Sequence, residues 1–302
     1  MLSKKIKQAM AGSSAIRAMF MEGKEMAAKF GAENVYDFSL GNPATPAPEK
    51  IKTAIYDILD KEDPLVVHGY MANAGYEEVR EAIAENLNER FGTNFHGKNL
   101  IMTVGAAGGL NIIFKTILDP GNEVMVFAPY FGEYKSYAAN FDAKIVEVMP
   151  NEADFMPDLA DFERKITKET RAVIINNPNN PTGALYPKEV LQQIVDLARE
   201  HHLIIFSDEI YDRLVMDGKE HISIASLAPD LFCVTFSGLS KSHMIAGFRI
   251  GWMVLSGNKA IAKDYIEGIK MLSNMRLCSN VPAQSVVQTA LWGNQSVNDY
   301  LV

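Results

Sequence analysis

Apolar and polar positions in this chain follow two rhythms. Between residues 13 and 31 apolar and charged residues recur at helical spacing; a short strand candidate, VYDFSL at 35–40, then leads into the turn-rich GNPATPAP at 41–48. From Glu49 the pattern becomes regular. It predicts helices over 49–60 and about 75–91, a strand LIMTV at 100–104, a helix over 107–118 and a strand EVMVFA at 123–128. RAVIIN at 171–176, LIIFS at 203–207 and LFCVTFS at 231–237 are apolar without period-two polarity, as strands are when helices cover both faces of a sheet. A helix over 187–200, with Pro187 at a favourable first-turn position, makes 171–207 a β-α-β unit. Residues 259–292 have an amphipathic helical pattern. The expected fold is α/β, with a mostly parallel sheet sandwiched by helices.

Composition narrows the function. A chain of 302 residues, 48% hydrophobic and 22% charged, can bury one large core or two modest ones. The formal net charge of −8 disfavours nucleic acid and anionic membrane as partners, so any anion needs a local site. Cys233 and Cys278, 45 positions apart, support neither a disulfide framework nor a metal cluster, and a reducing cytoplasm fits them best. The first residues lack the uninterrupted apolar core of a secretory signal. No apolar run approaches the roughly 18–20 residues of a membrane-spanning helix, so a soluble protein is expected.

In parallel sheets ligands gather beyond the carboxyl ends of strands, so the polar residues that follow each buried run matter most. LIMTV is followed by Gly105-Ala106-Ala107-Gly108-Gly109, which reads as a phosphate-approaching helix start or simply as a tight turn. RAVIIN is followed by NPNNPTG, a proline-fixed loop that can present Asn180 rigidly or serve as a turn alone. LIIFS leads to Asp208 and, three residues on, Tyr211; a carboxylate there calls for a cationic partner. LFCVTFS leads to Gly238-Leu239-Ser240-Lys241, with Arg249 eight residues after the lysine. Together these supply an amine for a carbonyl, a carboxylate for a pyridinium nitrogen, donors for a phenolate oxygen and a phosphate cup, the set of groups that pyridoxal phosphate requires.

On the motifs NNPNNPTG at 176–183, SDEIYD at 207–212 and SGLSKSHMIAGFRIGW at 237–252, the sequence resembles the class I aminotransferases of the fold-type I pyridoxal-phosphate enzymes, from about Tyr36 to Trp292. The resemblance implies that Lys241 holds pyridoxal 5'-phosphate as a Schiff base, that Asp208 pairs with the ring nitrogen, and that Asn180 and Tyr211 bond the ring's phenolic oxygen. Ser240, Arg249 and the Gly105-Ala106-Ala107 turn are implied at the phosphate, and Phe131 in APYF at the aromatic position that stacks on the ring. Tyr70 in HGYMANAG matches a tyrosine that crosses to the partner's phosphate, which implies a homodimer. Gly41 in SLGNP, with Asn180, is implied at the substrate.

The same resemblance divides the chain into an N-terminal arm with part of a small domain at 1–48, a large cofactor-binding domain at 49–290, and the start of a C-terminal small domain at 291–302. It implies transfer of an amino group from an L-amino acid, aspartate or alanine favoured, to a 2-oxo acid such as 2-oxoglutarate. Two departures stand out. Gly238 occupies a position where many relatives carry serine, and Ser237 is the candidate to supply that hydroxyl. The arginine that clamps the substrate carboxylate in the family is expected well beyond Val302; Arg276 is either a side-chain-carboxylate contact or a capping residue. Alternative readings are a carbon–sulfur β-lyase of the same fold, a non-catalytic regulator, for which the N-terminus is short, and a catalytically incomplete fragment.

Overall fold

The computed structural model describes residues 2–3, 5–7, 15–39, 41–43, 45–151 and 153–293. The chain divides into two units, Met1–Ala44 and Thr45–Val302.

In the first unit the helix Ala15–Phe30 ends at Gly31, whose φ of 90° takes the chain out of the helix. VYDFSL does not form a strand in its described residues, 35–39. Asp37 Oδ1 accepts the Ser39 N–H at 2.8 Å, a local turn bond that competes with a strand ladder, while Tyr36 and Phe38 are exposed. Leu40 lies outside the described residues.

Among its described residues the second unit is built on seven strands: β1 Leu100–Val104, β2 Glu123–Phe127, β3 Lys144–Val148, β4 Thr170–Asn176, β5 Ile204–Asp208, β6 Phe232–Gly238 and β7 Ile250–Gly257. They form one sheet in the order β1-β7-β6-β5-β4-β2-β3. Only β7 runs antiparallel to its neighbours, pairing Val104 with Ile250 on one side and Gly238 with Gly251 on the other. The carboxyl ends of β1 and β6 therefore meet the start of β7. Backbones come so close there that a Cβ on Gly251 would lie 2.5 Å from the Gly105 carbonyl carbon.

Strand alternation explains the unbroken apolar runs. Val124, Ala172, Ile174, Phe206, Val234 and Phe236 pack in one core with Leu110, Ile113 and Phe114 of the helix Gly105–Ile117. Their odd-numbered neighbours Met125, Val173, Ile175, Ile205 and Cys233 pack in another with Leu191, Ile194 and Val195 of the helix Lys188–Glu200. Each buried Val, Leu, Ile, Phe or Met among them contributes about 1.5–3 kcal/mol by leaving water. A third core joins β1 and β7 to the helices Glu77–Phe91 and Val286–Trp292.

Two strands, β3 and β7, have no counterpart in the predicted elements. KIVEV of β3 mixes charges into a partly exposed edge, and β7 begins within GFRIGW, directly after Arg249. The predicted helix over 259–292 is broken: it runs as Lys263–Arg276, Val281–Gln284 and Val286–Trp292, with Leu277 at φ 72° and Pro282 opening the second piece. Of the segment expected to begin a small domain, residues 294–302 lie outside the described residues.

Candidate active site

Asp208 closes β5 and, by alternation, faces the same side as Phe206. It is 5% exposed and accepts a 2.6 Å hydrogen bond from the Tyr134 phenol and a 3.3 Å bond from the Ile210 N–H. The cationic partner expected for it is absent: among the described residues no lysine, arginine or histidine pairs with this carboxylate. Burial pushes its pKa up to about 6, with the Tyr134 bond acting in the opposite sense.

The main chain of Asp208 is tied to the loop after β4. Asn176 Nδ2 and the Asn177 N–H donate to the Asp208 carbonyl at 3.0 and 3.2 Å, and Asn176 Oδ1 accepts the Asn180 N–H at 2.7 Å. Asn179 Oδ1 accepts both the N–H and the hydroxyl of Thr182, at 3.2 and 2.8 Å. Side-chain amides thus do for this loop what a ladder does for a strand, and Asn180 is held half-buried at its turn.

Lys241 sits in the short helix Leu239–Ser242 that follows β6, and Ser240 beside it is buried. The Lys241 Nζ lies 5.9 Å from the centre of the Tyr211 ring. Burial first, and the Arg249 charge second, lower its pKa below the ordinary lysine value, which favours the neutral, nucleophilic amine. Burial and then the Asp208 charge push the Tyr211 phenol up to about 12, so it stays a hydrogen-bond donor at neutral pH.

Arg249 enters β7 in a left-handed conformation, φ 57°, and its carbonyl accepts the Gly105 N–H at 3.0 Å. Gly105 itself has φ +67°, and a Cβ there would stand 2.3 Å from Arg249 Nη2. The guanidinium is exposed, with Nη1 donating to the Ala246 carbonyl at 2.8 Å, and it lies over the first turn of the helix Gly105–Ile117, where Ala106 and Ala107 add little bulk. A cation over a helix start lined by small residues is suited to an anion.

The structure therefore brings Lys241, Asp208, Tyr211, Asn180, Arg249 and the Gly105 turn to one end of the sheet. Phe131 joins them through Tyr134, its ring edge-on to that phenol at 5.5 Å. Ser237 is not brought into this group: its hydroxyl donates to the Glu209 carbonyl at 3.4 Å. Tyr70 is 86% exposed, beside the exposed Leu65 and Val66. Gly41 lies in the first unit and is exposed. Arg276 caps loops, with Nη2 donating to the carbonyls of Met102 and Asn73 at 3.0 and 3.4 Å and Nε to Leu277 at 3.1 Å.

A family model for class I and II aminotransferases matches residues 33–302. The chain belongs to this aminotransferase family. Glutamate-pyruvate aminotransferase AlaA of Escherichia coli (strain K12) is 42% identical over 271 residues, 88% of this chain and 66% of that protein. Alanine aminotransferase of Mycobacterium bovis is 38% identical over 283 residues, 91% of this chain and 65% of that protein. Among solved structures, an aminotransferase from Escherichia coli superposes with a TM-score of 0.90 at 39% identity, over 99% of this chain and 73% of that one. Alanine aminotransferase from Pyrococcus furiosus gives 0.90 at 33% identity, over 100% and 74%. The chain spans about two thirds, 66%, of the length of the curated aminotransferases it matches first.

One residue bonded to this group, Tyr134, has no place among the candidates of the sequence. Tyr134 lies 74 positions from Asp208, on a helix after β2, and β4 separates β2 from β5 in the sheet. The available signal was local: Tyr134 falls three residues after Phe131, at the start of the helix Glu133–Ala139.

Proposed function

We propose that the full-length protein is a pyridoxal-phosphate-dependent transaminase, with alanine as amino donor and 2-oxoglutarate as acceptor, or equally glutamate and pyruvate in reverse. The observation that carries this reading is the convergence of the Lys241 amine, the unpaired buried carboxylate of Asp208 and the Arg249–Gly105 cradle on one sheet end. The preference for alanine follows the names of relatives similar over 88% and 91% of the chain, whereas an aspartate/prephenate aminotransferase of Thermus thermophilus aligns over 70%.

The residues fit the cofactor. A buried carboxylate without a cation suits a protonated ring nitrogen, and a small-residue helix start beneath a guanidinium suits a phosphate. When bound, pyridoxal phosphate supplies an aldehyde for the lysine and a ring that accepts the electron pair left when the substrate loses its Cα proton.

The chain supplies the rest. Lys241 would hold the group through its amine, and in its neutral form that amine would be able to take the substrate Cα proton and return it. Asp208 would hold a proton on the ring nitrogen by charge, and Tyr134 fixes one of its carboxylate oxygens. Tyr211 and Asn180 would hold the ring's phenolic oxygen, Ser240, Arg249 and the Gly105-Ala106-Ala107 turn the phosphate, and Phe131 a ring face. Gly41 belongs to the same proposal as a substrate contact. So does a homodimer through Tyr70, supported by the exposed Tyr56, Leu59, Leu65 and Val66, and a cytoplasmic location.

The test is an assay of the purified full-length protein with alanine, aspartate or glutamate as donor and 2-oxoglutarate or pyruvate as acceptor. Keto-acid release that depends on an acceptor, lost in Lys241→Ala together with the borohydride-fixed cofactor on peptide 241, is expected. Pyruvate and ammonia released from cystathionine without any acceptor would identify a β-lyase instead, and cofactor fixed to another lysine would overturn the assignment of Lys241.

A further inference from the structure

On the face of β5 opposite Asp208 lies a second buried carboxylate that the proposed chemistry does not use. Alternation along the strand end turns Glu209 away from Asp208, and its side chain is 3% exposed. Oε1 accepts from the Ser207 and Ser223 hydroxyls at 2.8 and 3.1 Å and from the Ile224 N–H at 3.1 Å; Oε2 meets His221 Nε2 at 3.0 Å. The His221 side chain is 2% exposed and its Nδ1 has no hydrogen-bond partner, so Glu209 is what compensates this imidazole for its burial.

The chain between these partners travels far. After Tyr211 and Asp212 it runs out through residues 216–220, which are exposed, and returns at His221. The Glu209 carboxylate closes that excursion by holding both sides of its return, His221 and Ser223, against β5. Tyr211 stands inside the closed segment, between two fixed points: Glu209, and Asp212, whose carboxylate pairs with Arg90 at 2.8 Å and whose N–H donates to the Glu209 carbonyl at 3.0 Å.

We infer that Glu209, locked by His221, is a positioning residue for Tyr211, holding its phenol in the site beside Lys241. The inference rests on the cofactor reading given above. A buried carboxylate with four donors has one orientation, and a loop whose return is tied back to its start has less freedom to lose when a ligand binds. Without the Glu209 carboxylate the return of the loop at His221 and Ser223 loses this polar anchor on β5, and the segment carrying Tyr211 keeps its main-chain bonds at Glu209 and the Asp212–Arg90 pair but not the closure of its far end.

The experiment follows the visible absorbance of bound pyridoxal phosphate in the full-length protein as a function of pH, because a donor to the ring's phenolic oxygen shifts the midpoint of that transition. Tyr211→Phe sets the scale. Glu209→Ala is expected to move the midpoint in the same direction, Glu209→Gln to leave it near the wild-type value, and Glu209→Ala/Tyr211→Phe to move it no further than Tyr211→Phe alone. Additive shifts, or a Glu209→Ala protein with a lowered melting temperature and an unmoved midpoint, would overturn the inference while leaving the cofactor reading intact. A wild-type protein that forms no visible band with the cofactor overturns both. If Glu209→Ala does not fold, His221→Asn carries the same comparison, with the same outcomes.

Discussion

Tyr134 donates its phenolic hydrogen to Oδ2 of Asp208 across 2.6 Å, with both side chains buried. Burial and the neighbouring Asp208 charge hold the Tyr134 pKa well above the ordinary tyrosine value, so the phenol remains the donor throughout the physiological range. Tyr134→Phe leaves an ionised carboxylate short of a donor in the core. A loss of about 1–3 kcal/mol is expected at pH 8, and a smaller one at pH 4.5, where Asp208 is protonated. Chemical denaturation of the cofactor-stripped protein at the two pH values measures this; equal losses would show that Asp208 does not feel the phenol.

Asp208 gives a signed pH dependence. Its folded pKa of about 6 lies above the ordinary 3.8, so the folded state binds the proton more tightly. Its contribution to stability is complete below pH 3.8 and is lost as pH rises through about 6. At 1.36 kcal/mol per pH unit, the gap amounts to about 3 kcal/mol. Relative to Asp208→Asn, cofactor-stripped wild-type protein should therefore become progressively less stable between pH 4 and about 7. Parallel stability curves for the two proteins would refute the shift. In the reconstituted enzyme Asp208→Asn should slow exchange of the substrate Cα proton by about 10²-fold or more.

Gly105→Ala strains the backbone and the cradle at once. A residue with a Cβ costs about 1–2 kcal/mol at φ +67°, and the methyl would displace the Arg249 guanidinium, 2.3 Å away. Cofactor affinity should fall about 10-fold or more, read by titration of absorbance, with the helix content unchanged by circular dichroism. Unaltered affinity would remove this turn from the phosphate site.

Arg276→Ala should behave as a stability variant. With the guanidinium bonded to the carbonyls of Met102, Asn73 and Leu277, its loss is expected to lower the melting temperature and to leave the ratio of kcat/KM for alanine and aspartate within about two-fold. A selective fall for aspartate would make Arg276 a substrate contact.

Strand ends carrying Asp208, Asn180 and Lys241 were legible in the sequence because each follows an apolar run that helices cover on both faces, which also marks the sheet as mostly parallel. What escaped was pairing across the sheet. Tyr134 reaches Asp208 only because of a strand order that periodicity does not encode, and Ser237 looked available until alternation turned it to the Glu209 carbonyl. VYDFSL misled for a related reason: a strand needs a neighbour, and Asp37 satisfied the nearby N–H first. β7 was hidden within a segment whose charged residues suggested chemistry.

The reversal of β7 has an energetic consequence. The antiparallel return from β6 to β7 is made by the eleven residues Leu239–Arg249. That brief arc carries both Lys241 and Arg249, and its closure removes little chain entropy. The two positive charges are thus fixed near each other by folding itself, at the expense of their mutual repulsion, and an incoming anion meets a site whose ordering has already been accomplished.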